Sequence, residues 1–300
     1  MALSRSGAYT QQMDSLTEAA KLLAPEARAA MVPLLEDAHR QIMKDLAQVT
    51  PDSYSESRLR LVKQGIEQTL TQLRNVAQNT VNSLQTVTYR AAANSVDSVV
   101  FAGTGKQLIQ PVLDTRALSI VQGFSADLIG GVTSDATAKI NAAIQRSYLG
   151  KTTLSDLFNV VGQAQGNGQF SGLFGTLGAK AADTAMNEVM RVDSMAKQAR
   201  ISDLSTNIDG IGKQWVHLPI ARVPRVSHIL ADLQVRKADE SFEVGGEALM
   251  YPRDPAGSAA NTIFCHCTMR PHVAVDLLQP TDRERDLLKS LGLSVTTTRS

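Results

Sequence analysis

Apolar residues recur at steps of three and four along much of the chain, and the longest such run lies between Glu56 and Phe101. Leu59, Val62, Ile66, Leu70, Leu73, Ala77, Val81, Leu84 and Val87 form one stripe, separated by Gln, Asn, Arg and Lys. A repeat of 3.6 residues gathers such positions on one helical face. No proline interrupts the run, and Gly65 is its weak point. The pattern predicts a helix of about 40 residues, roughly 60 Å long. A small globular core cannot cover that length, so an extended bundle or a rod against a partner is expected. Two shorter helices joined by a bend fit the same pattern equally well.

The flanking segments are also helical in texture. Ser15 with Glu18 three residues on has the form of a capping box, which predicts a helix start there. Pro25 suits the first turn of a second helix, and Pro33 begins or kinks a third segment carrying Leu34, Leu35, Ala38, Ile42 and Leu46. Thr50-Pro51-Asp52 reads as a turn, and the pattern breaks again from Gly103 to Pro111. Residues 114–149 predict one or two helices split at Gly130-Gly131, and Thr153 with Asp156 opens a short one. Repeated glycines between Gly162 and Gly178 predict a flexible connector or loop, because ordering glycine costs the most entropy. A helix with Ala185, Val189, Val192 and Met195 on one face follows it. Beyond Lys213 the texture changes: prolines, histidines, both cysteines and the sole tryptophan gather, with β-like runs at Gln214–Leu218 and Ala248–Tyr251.

The expected fold class is therefore mainly α, an elongated bundle of long helices with a small α+β C-terminal module. The expected divisions are a flexible arm over 1–12, an elongated helical domain over 13–160 and the connector over 161–179. The α+β module follows over 180–275, then a C-terminal helix and tail over 276–300.

Composition changes this picture little. A hydrophobic share of 43% with 20% charged residues is that of a folded chain, and aromatics at only 4% favour helices packed through small side chains. The net charge of +1 gives no whole-chain attraction to nucleic acid or anionic membrane. Arg222, Arg225, Arg236 and Lys237 are the local candidates for phosphate contacts, with a solvated basic edge as the alternative. The N-terminus lacks the apolar stretch of a secretory signal, and no window has the apolar length to span a bilayer, so no membrane span is expected.

Candidate chemistry is sparse. The run Ala102–Gln107 echoes a phosphate-binding loop, but Val100 and Gln107 stand where that loop needs a glycine and a hydroxyl; it reads as a turn. No nucleophile elbow or metalloprotease signature occurs, so an enzyme is not expected. Metal-type donors concentrate at Cys265-His266-Cys267, with His272 downstream and His228 upstream. Zinc needs three or four converging Cys/His ligands, and Cys265, Cys267, His228 and His272 form the candidate set. Buried structural thiols are the competing reading. A disulfide within Cys-x-Cys would close a strained ring. Trp215 is expected to anchor the small module.

The ordered set of features over residues 180–275 resembles the phage Mu F-like minor head protein family, also called the phage head morphogenesis family. The features are Gly212-Lys213-Gln214-Trp215, the basic stretch ending in Arg225 and His228, then Phe242, Gly245, Gly246, Pro252, Asp254 and Pro255, and finally Cys265 and Cys267. Ala221, Arg222 and Val223 depart from the family's usual strip, and His266 stands where it usually has arginine. The double glycine suits a tight turn, and Pro-x-Asp-Pro a rigid one with Asp254 bonding nearby amides. The resemblance implies a structural minor head or head–tail junction protein of a tailed bacteriophage. Such a protein associates with the portal and other head or head–tail proteins in multiple copies, is assembled in the host cytoplasm, and resides in the virion. It would act in head assembly, DNA packaging or genome delivery. Two alternatives stand beside it: a non-specific DNA-associated protein ejected with the genome, and the metal-binding module of a toxin-like protein.

Overall fold

The computed structural model describes residues 5–48, 56–109, 114–149, 153–220, 223–274 and 290. Its described chain is mainly helical, with strands concentrated toward the C-terminus. Helices α1 (Arg5–Ala29), α2 (Val32–Leu46), α3 (Glu56–Thr104), α4 (Thr115–Tyr148) and α5 (Leu154–Val161) come first. The short pair β1 (Ala164–Gly166) and β2 (Gln169–Phe170) leads into α6 (Gly172–Ser205). The C-terminal module then runs β3 (Ile211–His217), α7 (Val226–Leu230), β4 (Val235–Lys237), β5 (Phe242–Val244), β6 (Glu247–Leu249), α8 (Ala259–Thr262) and β7 (Cys267–Val273). This is the fold class the hydrophobic pattern predicts: long helices plus a small α+β part. None of the described helices is long and apolar enough to cross a membrane.

The long stripe does form one helix. α3 has 49 residues and no break at Gly65, where a Cβ would come within 2.9 Å of Asp45 Oδ2. That glycine is a point of close approach for α2. Gly130 plays the same part in α4, where a Cβ would crowd the Arg74 guanidinium at 3.0 Å. α4 therefore runs through Gly130-Gly131 as one 34-residue helix.

Three expectations at the N-terminal side need correction. Residues 5–12 are not an arm: they continue the stripe of Tyr9, Met13, Leu16 and Ala20 upstream, and all four are buried. Ser15 is consequently inside α1, with no capping role, and Pro25 lies within α1 and does not start a helix. Pro33 does occupy the first turn of α2, and Thr153 with Asp156 forms a full capping box on α5. The turn at Thr50–Asp52 and the tail over 276–300, apart from Ser290, lie outside the described residues.

The glycine-rich stretch is built structure and not a connector. Gly162, Gly166, Gly168 and Gly172 all have positive φ, and a Cβ on Gly162 would collide with the Ser171 carbonyl. These glycines let the β1–β2 hairpin turn tightly and α6 begin directly after it.

The chain divides into two compact units, neither matching the expected linear boundaries. One comprises Ala24–Gln85 and Thr115–Val189. Its core is filled by Leu35, Ile42, Ile66, Leu70, Val81, Ile140, Ile144 and Phe174, among others. A buried polar line also runs through it, from Gln85 Nε2 to Ser125 Oγ (2.8 Å) and from Ser125 Oγ to Glu188 Oε2 (3.2 Å). The other unit comprises Met1–Leu23, Thr86–Asp114 and Met190–Ser300. α1, α3 and α6 contribute residues to both.

In the second unit the strands pack on helices from far along the chain. Tyr9, Met13, Val96, Val99, Ile201 and Met269 share one core, and the Val273 amide donates to Tyr9 Oη at 3.2 Å. Arg200 of α6 is buried and donates to Asp97 of α3 (2.6 Å) and to the Ile109 carbonyl (2.6 Å). The sheet order is β4-β3-β7, antiparallel throughout, with β3 central.

Ile66 is completely buried and Leu61 is 67% exposed, although both are apolar residues of α3. Ile66→Ala should cost about 2–5 kcal/mol by leaving a cavity. Leu61→Ala should stay within about 0.5 kcal/mol. Urea-unfolding midpoints of the two variants measure the contrast.

Candidate metal centre

β3 and β7 pair over seven positions, from Ile211 opposite Val273 to His217 opposite Cys267. Alternate strand residues share a face, so Trp215 and His217 lie on one side of β3, with Met269 and Cys267 as their cross-strand partners. Trp215 is fully buried and meets Phe242 (5.3 Å between centroids) and His228 (6.0 Å), both edge-on. Around them Val244, Leu249, Ala231, Cys265 and Cys267 complete a small core.

The turns that close this core are those the sequence marks. Gly245 and Gly246, both at positive φ, connect β5 to β6 as a two-residue hairpin in which Val244 faces Glu247. In the Pro252–Pro255 turn, Asp254 accepts from the Met250 amide (2.8 Å) and the Ala256 amide (2.9 Å). Arg253, between the two, is held at φ +66 and is almost wholly buried. Its guanidinium donates to the carbonyls of Cys265 and Cys267 and to that of Met190 on α6. One side chain therefore clamps both cysteine carbonyls from below.

Three donor atoms meet at the centre of the module. The ligand atoms of His228, Cys265 and Cys267 lie within 4.8 Å of one another, and all three residues are buried. His228 Nδ1 is 3.5 Å from Cys265 Sγ and 3.4 Å from Cys267 Sγ. Its Nε2 lies 3.3 Å from Asn261 Oδ1, and the Asn261 amide group donates to the Val244 carbonyl at 3.2 Å. Asn261 thus presents an acceptor to Nε2–H, which orients the ring so that Nδ1 faces both sulfurs. The cysteines are free thiols.

The thiols differ in acidity. Burial opposes ionisation of Cys265, but a hydrogen bond from Cys267, the Arg253 guanidinium and His228 outweigh it and hold Cys265 well below the ordinary thiol range. Cys267 is pushed well above that range by its bond to Cys265 and by burial. The pair sheds one proton readily and keeps the other. A cluster that is buried, carries thiolate character and has an oriented imidazole can hold a metal ion.

Other proposed positions fare differently. His272 does not join the cluster: it sits opposite Gly212 near the far end of β7, five positions from Cys267 and so about 16 Å along the strand. Arg222 lies outside the described residues. Arg225 donates to the Ile263 carbonyl (2.5 Å) and Arg236 to the Ser241 carbonyl (3.2 Å), while Lys237 lies 3.8 Å from Glu240. Arg236 and Lys237 are adjacent in β4 and face opposite ways. These contacts describe locally engaged cations rather than one strip. The Ala102–Gln107 segment is the end of α3, where Gly105 at positive φ closes the helix by donating its N–H to Phe101 O at 2.7 Å.

Arg253, Asn261 and His217 take places around the cluster that the sequence did not announce. Arg253 is the unnamed position of Pro-x-Asp-Pro, and its role appears only once that turn is folded under the cysteines. His217 Nδ1 lies 3.7 Å from Cys267 Sγ. Its signal was present in the spacing: it is two residues after Trp215, hence on the same strand face.

No family model matches the chain, and no solved structure does so. The chain is 32% identical over 110 residues to a Bacillus subtilis (strain 168) protein described as "Uncharacterized protein YqbB". The match covers 36% of this chain and 35% of that protein, so the chain spans about a third of the length of the relative it matches.

The same core contains a buried lysine whose charge is unfavourable. Lys213 Nζ donates to Gln198 Oε1 and the Met250 carbonyl, both at 2.8 Å, and lies over the Phe242 ring. Burial pushes its pKa from 10.5 down to about 8, against the pull of Asp254, Asp239 and Glu240. Between those values the unfolded chain holds a proton that the folded chain has released. Unfolding there takes up a proton, so the Lys213 contribution to stability rises with pH across the window. The neutral amine still supplies two N–H donors. Raising the pH from 8 to 10 should favour the wild type over Lys213→Met by up to about 2 kcal/mol, measured by urea unfolding. Parallel pH profiles would contradict the assignment.

Proposed function

We propose that the chain is a structural minor head or head–tail junction protein of a tailed bacteriophage, acting by contact and without turnover. On this reading residues 180–275 are its Mu F-like module, the helical regions meet the portal and other head or head–tail proteins, and the protein resides in the virion. The observation that carries the proposal is the shared use of the motif residues. Trp215, Phe242 and the cysteine pair fill one core, His228 touches both sulfurs, and the double glycine and the Pro-x-Asp-Pro turn shape its edges. An ordered set that builds one small core is what a family resemblance should look like in three dimensions.

Exposed apolar side chains support a role in assembly. In and beside α7, Val223 is 80% exposed, Val226 71% and Leu230 76%. Apolar surface of that kind is stabilised when a neighbouring subunit covers it. The metal we assign to the buried cluster is zinc. Thiolate and imidazole donors together suit it, and a structural site of this type supplies folding energy. In this role zinc holds β7 and α7 to the core and performs no chemistry.

Mass spectrometry of density-purified phage particles and procapsids from the producing strain tests the assignment. The protein should be present in both, at low copy number beside the portal. Its absence from both would overturn the proposal.

A further inference from the structure

Beside the three donors that lie within 4.8 Å of one another, a second imidazole, that of His217, approaches the Cys267 sulfur. We infer that His217 completes a closed Cys2His2 zinc site with His228, Cys265 and Cys267, leaving no position open for water or substrate. The inference deepens the metal reading above and rests on it.

The geometry comes from the strand register. His217 is paired with Cys267 across β3 and β7, and its Nδ1 stands 3.7 Å from the Cys267 sulfur. With zinc–sulfur bonds of about 2.3 Å and zinc–nitrogen bonds of about 2.0 Å, a tetrahedron puts neighbouring S and N atoms about 3.5 Å apart. The two His228 edges measure 3.5 and 3.4 Å, and the His217 edge 3.7 Å. All three lie close to that value.

The two histidines differ in how firmly they are held. His228 is buried and oriented by Asn261. His217 is half-buried and reaches the cluster through Cys267, so its ring can turn toward the ion. Its backbone is anchored meanwhile, because the His217 amide donates to Asp232 Oδ1 at 2.8 Å. Two thiolates cancel the charge of the ion, and two neutral imidazoles fill the remaining vertices. A neutral, four-coordinate centre suits a buried site, and a filled shell makes the metal structural. His272, at the other end of β7, has no part in it.

The test uses the full-length chain loaded with zinc, and in parallel with cadmium-113. The wild type should hold one zinc per chain, and proton–cadmium correlation spectra should show coupling to two imidazoles, those of His217 and His228. His217→Ala should weaken zinc binding at least about 10-fold, and His272→Ala should leave it unchanged; loss of the orienting partner in Asn261→Ala should cost about 10- to 100-fold. Coupling to His228 alone, with unaltered zinc affinity in His217→Ala, would overturn the fourth ligand while leaving a three-donor metal site. A wild-type chain that holds no zinc would overturn both. The cadmium spectra are read on the wild type, so a His217 variant that fails to fold does not remove the test.

Discussion

The C-terminal module depends on one constraint: two sulfurs and an imidazole nitrogen are buried together, beside an almost wholly buried guanidinium, in a core with few apolar side chains. Burying polar or charged groups is costly unless each finds a partner. Here the partners interlock. Arg253 satisfies the carbonyls of both cysteines, Asn261 fixes His228, and the pair Asp193–Lys197 on α6 binds Thr268 beside Cys267. Removing one member leaves the others buried and unpaired, so the module behaves as a single network.

That network is also what ties the module into its compact unit. Met190, Asp193, Lys197, Gln198 and Arg200 all lie on α6, and each bonds to a residue outside that helix. The sheet therefore docks on helices through buried polar contacts as well as through the apolar cluster of Tyr9, Val99, Ile201 and Met269.

Much of this was legible in the sequence where periodicity alone decides. α3 was written in its stripe from Val62 to Val81, and the α5 capping box in Thr153 and Asp156. Glycine misled at Gly130 and across Gly162–Gly178, because its meaning depends on what approaches it. A bare list of glycines reads as flexibility, whereas Arg74 and the Ser171 carbonyl make them sites of close packing. Ser15 and Pro25 misled for a related reason. A local signal for a helix end yields when buried positions continue on both sides of it, as Tyr9, Met13 and Ala27 do.

The donor set shows the limit most clearly. Along the chain His272 is nearer to Cys267 than His217 is, yet across the antiparallel pair His217 faces Cys267 and His272 faces Gly212. Register is a long-range property, and no count of intervening residues supplies it. Arg253 was hidden likewise, since only the folded turn reveals where its side chain goes.

Hydrogen exchange of the full-length chain, with and without a strong chelator, tests the central claim most directly. If the donor cluster closes the module, chelation will strip protection from 211–217 and 265–273 while the amides around Ile66 and Ile140 stay protected. Identical protection in both conditions would show that the module closes without an ion, and would contradict the account.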